Sequence, residues 1–305
     1  MQESWPQQGK IAFKDVEMRY RPNTDVVLRK LNFEVAPGHK VGIVGRTGAG
    51  KSTISMVLTR IVELMSGTIE IDGVDISKLD IADLRSQITM IPQDPIMFLG
   101  TLRYNLDPFD EHSDEHIIQL IKKAGLDYLL EGVSKQELKV REAEEKAKAA
   151  KAENTLSDTE TSSVDESDKL KTAADTSKVE AEEKEDEDKG LNFKVKEEGN
   201  NLSVGERQLI CIIRAILRGN KIVILDEATA NIDVVTEQAT QRLISEEFNG
   251  ATVLCIAHRL NTIIKSDRVL VMDQGKAIEY DSPRALMANP NSTFNRMLKE
   301  KKRAT

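Results

Sequence analysis

Residues Gly45-Arg46-Thr47-Gly48-Ala49-Gly50-Lys51-Ser52 combine glycines, one lysine and a hydroxyl in a spacing suited to wrapping a backbone around phosphate. The glycines let backbone N–H groups turn inward, and a helix beginning near Lys51 aims its partial positive end at the anion. Lys51 then reaches the terminal phosphates, and Ser52 offers an oxygen to Mg²⁺. A second chemical group stands far downstream. The apolar run Ile222-Val223-Ile224-Leu225 ends in Asp226-Glu227, where a phosphate-loop sheet needs a metal-side carboxylate and a base that polarises the attacking water. A third segment, Leu202-Ser203-Val204-Gly205-Glu206-Arg207-Gln208, places a serine at a helix start and read alone is an ordinary N-cap.

These groups need a scaffold. Residues 41–44 form an apolar strand before the glycine loop, and Ile54, Val57, Leu58, Ile61 and Val62 recur at helical spacing after it. Strands are expected at 11–13, 26–28, 31–35, 67–72 and 88–92, with a turn at Asp72-Gly73. Helical spacing takes over between 105 and 130. Beyond residue 190 the pattern predicts a helix over 204–218, a strand at 222–225, a helix over 234–248 and a strand at 253–257. A hairpin at 269–280 and one or two helices over 283–302 complete the chain. Alternating strand and helix predict an α/β fold with a mainly parallel sheet and ligand loops at the strand ends.

The formal charge of −8 is local. Residues 135–190 hold 18 Asp and Glu against 11 Lys and Arg, leaving 33 acids and 32 bases elsewhere. This balance argues against a nucleic-acid partner. The 135–190 segment has no aromatic residue and few apolar ones, so it is expected to be a disordered acidic insert, with 136–152 at most a frayed charged helix. Cys211 and Cys255 sit in apolar runs without metal-ligand spacing and read as reduced core thiols. No run reaches the ~18 apolar residues of a membrane span, so the chain as written reads as soluble.

Taken together, Tyr20, the loop from Gly45 to Thr53, Gln93, the segment from Leu202 to Gln208, Asp226-Glu227, Asp233 and His258 follow the order found in ATP-binding-cassette (ABC) transporters. The chain resembles a nucleotide-binding domain of that family, with its P-loop ABC-ATPase fold, over all but the insert. Ile91-Pro92-Gln93-Asp94-Pro95, Asn105-Leu106-Asp107-Pro108-Phe109 and Ile256-Ala257-His258-Arg259-Leu260-Asn261-Thr262 narrow the resemblance to the second nucleotide-binding domain of a C-subfamily, multidrug-resistance-associated exporter. Residues 1–10 resemble the linker after such a transporter's last membrane helix, which leaves 11–305 as the domain. Its helical subdomain is expected over 98–205, beside an antiparallel β subdomain.

The resemblance implies ATP and Mg²⁺ as cofactors and assigns roles. Tyr20 stacks on adenine, and Gly45, Arg46, Thr47, Gly48, Ala49, Gly50, Lys51, Ser52 and Thr53 hold the phosphates. Ser52, Gln93 and Asp226 serve Mg²⁺, while Glu227, His258 and Gln93 serve hydrolysis. Ser203 and Gly205 contact ATP held by a second nucleotide-binding domain in a head-to-tail dimer, the first cassette of the same transporter. Asp233 belongs to the loop crossing that interface, or caps the helix after it. The implied setting is the cytoplasmic face of a membrane, beneath transmembrane domains that export a substrate. The alternative is an ATP-sensing domain that gates a channel, with hydrolysis secondary.

Two departures stand out. Glu206 occupies a position where the family usually has glutamine, which adds a carboxylate near the partner's ATP. The acidic insert replaces a short connection. Within it Ser157, Ser162 and Ser163 each precede an acid by three residues, a pattern suited to an acidophilic kinase acting on the 155–168 region.

Overall fold

The computed structural model describes residues 5–134, 189–226, 233–256 and 263–304. Glu227, His258 and nearly all of the acidic insert therefore lie outside the described residues. In chain order the strands and helices are β1 Ile11–Met18, β2 Leu28–Val35, β3 Lys40–Gly45, α1 Lys51–Leu58, β4 Ser66–Ile71, β5 Val74–Asp75, α2 Ile81–Ser86 and β6 Ile88–Ile91. There follow β7 Gly100–Thr101, α3 Leu102–Leu106, α4 Asp114–Lys123, α5 Asp127–Leu130, β8 Lys194–Val195, α6 Val204–Arg218, β9 Ile222–Asp226 and α7 Val234–Glu247. The last are β10 Thr252–Ile256, β11 Arg268–Asp273, β12 Lys276–Asp281, α8 Pro283–Ala288 and α9 Thr293–Ala304. Contacts divide the chain into one unit of residues 1–95 and 215–305 and a second of residues 96–214.

The first unit holds two sheets around one core. An antiparallel sheet in the order β2-β1-β4-β5 alternates polar and apolar residues, so Leu31, Phe33 and Val35 point inward between Asn32 and Glu34. Phe33 stacks on Phe13 at 4.4 Å. The larger sheet runs β12-β11-β3-β10-β9-β6 and is parallel except at the β12 edge. Its central strands are buried in near-continuous apolar runs, as a sheet covered on both faces requires. Ile43, Ile224, Leu254 and Leu270 from this sheet share a core with Ile54 and Leu58 of α1 and with the antiparallel sheet. At an estimated 25 cal/mol per Å² of apolar surface, full burial of each such side chain contributes roughly 1.5–3 kcal/mol.

The described part of the expected linker is tied down. Trp5 Nε1 donates to the Ile71 carbonyl at 3.2 Å, and the N–H groups of Gln8, Gly9 and Lys10 donate to the Asp72 carboxylate at 2.9, 3.1 and 2.7 Å. Burial pushes the Asp72 carboxyl up, but these backbone donors outweigh it and hold the group below its usual range.

Among the described residues, the second unit holds short helices, the start of α6 and a short antiparallel ladder between β7 and β8. Asn105 is fully buried and organises the turn before α3. Its Oδ1 accepts the Phe98 N–H at 2.9 Å while its Nδ2 donates to the carbonyls of Phe98 and Thr101 at 2.8 and 3.1 Å. α4 has a complete set of end signals: Ser113 caps it, Asp114 and Glu115 lie in the first turn, and Lys122 and Lys123 lie in the last.

Two expectations shift. The apolar periodicity carried the helix after the glycine loop to Val62, but α1 stops at Leu58. Arg60 adopts φ 50°, and the Ile61 N–H reaches back to the Met56 carbonyl at 2.8 Å, a left-handed helix stop made without glycine. Of the strands expected at 26–28 and 31–35, only the second lies wholly within a strand: β2 begins at Leu28 and is interrupted by a bulge where Lys30 has φ 47°. Both cysteines are free thiols as expected, Cys211 buried and Cys255 half-buried.

Candidate functional site

The glycine loop is shaped by two close constraints. A Cβ on Gly45 would stand 2.4 Å from the Met272 carbonyl oxygen on the neighbouring strand, so no side chain fits there. Gly50, which precedes the first residue of α1, has φ 95° and turns the chain into the helix through the left-handed region. Between them Arg46, Thr47 and Gly48 are exposed, while Ala49 is buried and anchors the loop by accepting the Gly275 N–H at 3.1 Å. Lys51 is 7% exposed, and its Nζ donates to the carbonyls of Gly45 and Arg46 at 3.0 and 3.1 Å, which holds the ammonium against the loop. Ser52, in the first turn of α1, is exposed.

Tyr20 lies just beyond β1 and is 49% exposed, which rules out a core aromatic. Its hydroxyl lies 2.9 Å from Thr53 Oγ1, so the ring is tethered to the first turn of α1. An aromatic face held beside a phosphate-type loop is a platform for a planar base.

Register aligns the remaining groups along one edge of the large sheet. Ile43 pairs with Ile256, Ile256 with Asp226, and Leu225 with Ile91. The carboxyl ends of β3, β10, β9 and β6 are therefore level. At roughly 4.8 Å per strand, Asp226 sits about 10 Å across the sheet from the loop, with the exposed Gln93 one strand further along. This edge is where open α/β sheets receive ligands. Asp226 also adds to the burial that pushes the Cys255 thiol up to about 12, so that thiol is protonated and inert. Glu227 directly follows Asp226, and His258 follows Ile256 by two residues; both lie outside the described residues.

The residues present suit the groups that the resemblance implies. A loop whose first glycine admits no side chain, closed by a left-handed glycine at a helix start and a buried lysine, fits a polyphosphate. The Ser52 hydroxyl, the Asp226 carboxylate and the Gln93 amide are hard oxygen donors of the kind Mg²⁺ takes.

The signature segment is built differently. The Ser203 N–H donates to Glu206 Oε2 at 2.6 Å, and the Glu206 N–H donates to Ser203 Oγ at 3.3 Å. This is a reciprocal capping box. Glu206 is 1% exposed, so the carboxylate expected to face a partner's ATP is instead buried at the start of its own helix. Gly205 is also buried, Ser203 is half-buried, and Val204 is the exposed residue of this turn. The Ser-x-x-Glu spacing in the sequence encodes the box. Asp233 likewise caps its helix: it accepts the Thr236 N–H at 3.1 Å and the Thr236 hydroxyl at 2.6 Å.

A sequence model of the ABC transporter family matches residues 28–230, which include the glycine loop, the signature segment and Asp226. The chain belongs to the ABC transporter family. Among its relatives, multidrug resistance protein mrp-7 of Caenorhabditis elegans is 40% identical over 96% of this chain and 16% of its own length. The human ATP-binding cassette sub-family C member 3 is 43% identical over 94% of this chain and 15% of its own length. A bacterial Atm1-family ABC exporter solved with ATP bound superposes with a TM-score of 0.73 at 28% identity, covering 97% of this chain and 42% of that one. The ABC chain thus spans about one-sixth of the length of the C-subfamily relatives it matches. Its fold is that of an ABC ATPase domain. No helix among the described residues is long and apolar enough to cross a membrane.

Proposed function

We propose that this ABC domain binds and hydrolyses Mg·ATP to drive export through transmembrane domains, acting as the second nucleotide-binding domain of a C-subfamily transporter. The observation that carries this reading is the level carboxyl edge of the large sheet, which sets the glycine loop, Asp226 and Gln93 side by side within one unit. On that edge Lys51 and the loop amides bind the phosphates, and Tyr20 stacks on adenine. Ser52, Asp226 and Gln93 would hold Mg²⁺, which would supply neutralisation of phosphate charge. Glu227 takes a proton from the attacking water, with His258 hydrogen-bonded to the terminal phosphate.

Ser203 and Gly205 face the ATP of a partner domain, so a head-to-tail pair with the first cassette completes each site, and Asp233 lies in the loop that crosses between them. Residues 1–10 link to a membrane helix, 98–205 form the helical subdomain, and the whole works at the cytoplasmic face of a membrane. Exposed Ile96, Phe98 and Leu99, which follow Gln93 closely in sequence, suit contact with transmembrane domains better than with water. A kinase acting on Ser157, Ser162 or Ser163 adds roughly 1.5 to 2 negative charges per site to an already acidic segment.

The decisive experiment is Glu227→Gln in the assembled transporter. ATP binding is expected to persist while turnover falls by at least the ~10²-fold typical of a lost general base. Near-normal hydrolysis by the variant rejects the assignment.

A further inference from the structure

The turn between α3 and α4 carries a donor cluster that nucleotide chemistry does not use. Asp107, Glu111 and His112 each place one potential ligand atom within 4.8 Å of the other two. His116, in the first turn of α4, sets its ring 5.8 Å from that of His112 at 82°. Two of the four histidines in the chain thus meet beside two carboxylates.

The surroundings favour a cation. Residues 103–116 hold five acids, Asp107, Asp110, Glu111, Asp114 and Glu115, against the single base Arg103. That arginine is already engaged: it pairs with Asp107 at 3.1 Å, Asp114 at 3.0 Å and Asp110, and donates to the His112 carbonyl at 2.7 Å. Asp107 is 6% exposed and held in place by Arg103, by the His112 N–H at 2.8 Å and by the Glu111 N–H. These use about three of a carboxylate's four acceptor positions and leave one for a metal. Glu111 and His116 are exposed and free to swing inward, while His112 is half-buried and fixed through its backbone.

Donor chemistry selects the ion. Two imidazoles and two carboxylates match a borderline dication such as Zn²⁺, whereas Mg²⁺ and Ca²⁺ prefer all-oxygen sites. We propose that Asp107, Glu111, His112 and His116 bind one Zn²⁺ ion, which clamps the α3–α4 turn independently of nucleotide.

The test is a Zn²⁺ titration of the metal-stripped 305-residue chain against a chromophoric chelator. One equivalent is expected to bind, with affinity at least about 10-fold weaker in the double variant His112→Gln/His116→Gln and unchanged in Lys51→Ala. Zn²⁺ should also raise the Tm of the parent and not of the double variant. Should the double variant fold poorly, the exposed single substitutions Glu111→Gln and His116→Gln decide by the same loss of affinity. Zn²⁺ binding of equal strength in parent and variants, or no binding by the parent, overturns the site.

Discussion

The glycine loop and the signature segment both sit at a helix start, yet they solve opposite problems. The loop before α1 leaves its N–H groups to be shaped by backbone: Gly45 admits no Cβ, Gly50 turns through φ 95°, and Lys51 closes over the carbonyls of Gly45 and Arg46. At the start of α6 the side chains serve the helix itself, because Ser203 and Glu206 exchange hydrogen bonds and bury the carboxylate. In the proposed function one terminus receives an anion from outside, whereas the other is capped by an anion from its own chain. A charged group therefore means different things in the two places: Lys51 is a ligand contact in the proposed function, whereas Glu206 is a structural cap.

The largest effect expected from this contrast lies at Lys51. Lys51→Ala removes a charge-assisted contact to the phosphates and should weaken ATP binding by the isolated chain about 10- to 100-fold, the equivalent of about 1.5–3 kcal/mol. Equilibrium binding of a fluorescent ATP analogue reads this directly. Unchanged affinity would remove the loop from the nucleotide site.

Much of this contrast is legible in the sequence. The loop and its flanking strand and helix follow from residue type and spacing, and α6 runs over the predicted residues because a serine cap precedes a strongly apolar-periodic stretch. What periodicity missed was local backbone conformation. Arg60 ends α1 in a left-handed geometry for which sequence normally writes glycine, so Ile61 and Val62 looked helical although Ile61 is exposed. The bulge at Lys30 hid the continuity of β2 in the same way. Glu206 differs from its expected role for another reason: a family resemblance asks what usually stands at a position, whereas the capping box depends on the residue three places earlier. The level alignment of Asp226 with Gln93 and the loop was beyond sequence, since strand order in a parallel sheet is set by long-range pairing.

A smaller effect separates the two helix starts by kind. Ser203→Ala deletes the cap acceptor and should lower stability by about 1 kcal/mol. Urea unfolding of the isolated chain measures it. ATP affinity of the isolated chain should be unaltered, because in the proposed dimer Ser203 serves the partner's nucleotide. A drop in affinity comparable to that of Lys51→Ala would mean that the signature segment completes the site of its own chain.

The smallest effect is the most discriminating. Glu206→Gln keeps a side-chain oxygen that accepts the Ser203 N–H, and Gln and Glu serve equally in the capping box, so the stability loss should stay under about 1 kcal/mol. If the carboxylate is buried within its own helix start, the ATP dependence of turnover in the assembled transporter should be nearly unchanged. If instead it faces a partner's phosphates, removing the charge relieves repulsion and ATP should bind several-fold more tightly. Glu206→Leu supplies the counterpart, since it strands the Ser203 N–H and should cost about 1–3 kcal/mol. A Gln variant that gains ATP affinity and a Leu variant of parental stability would together reverse the roles assigned to the two helix starts.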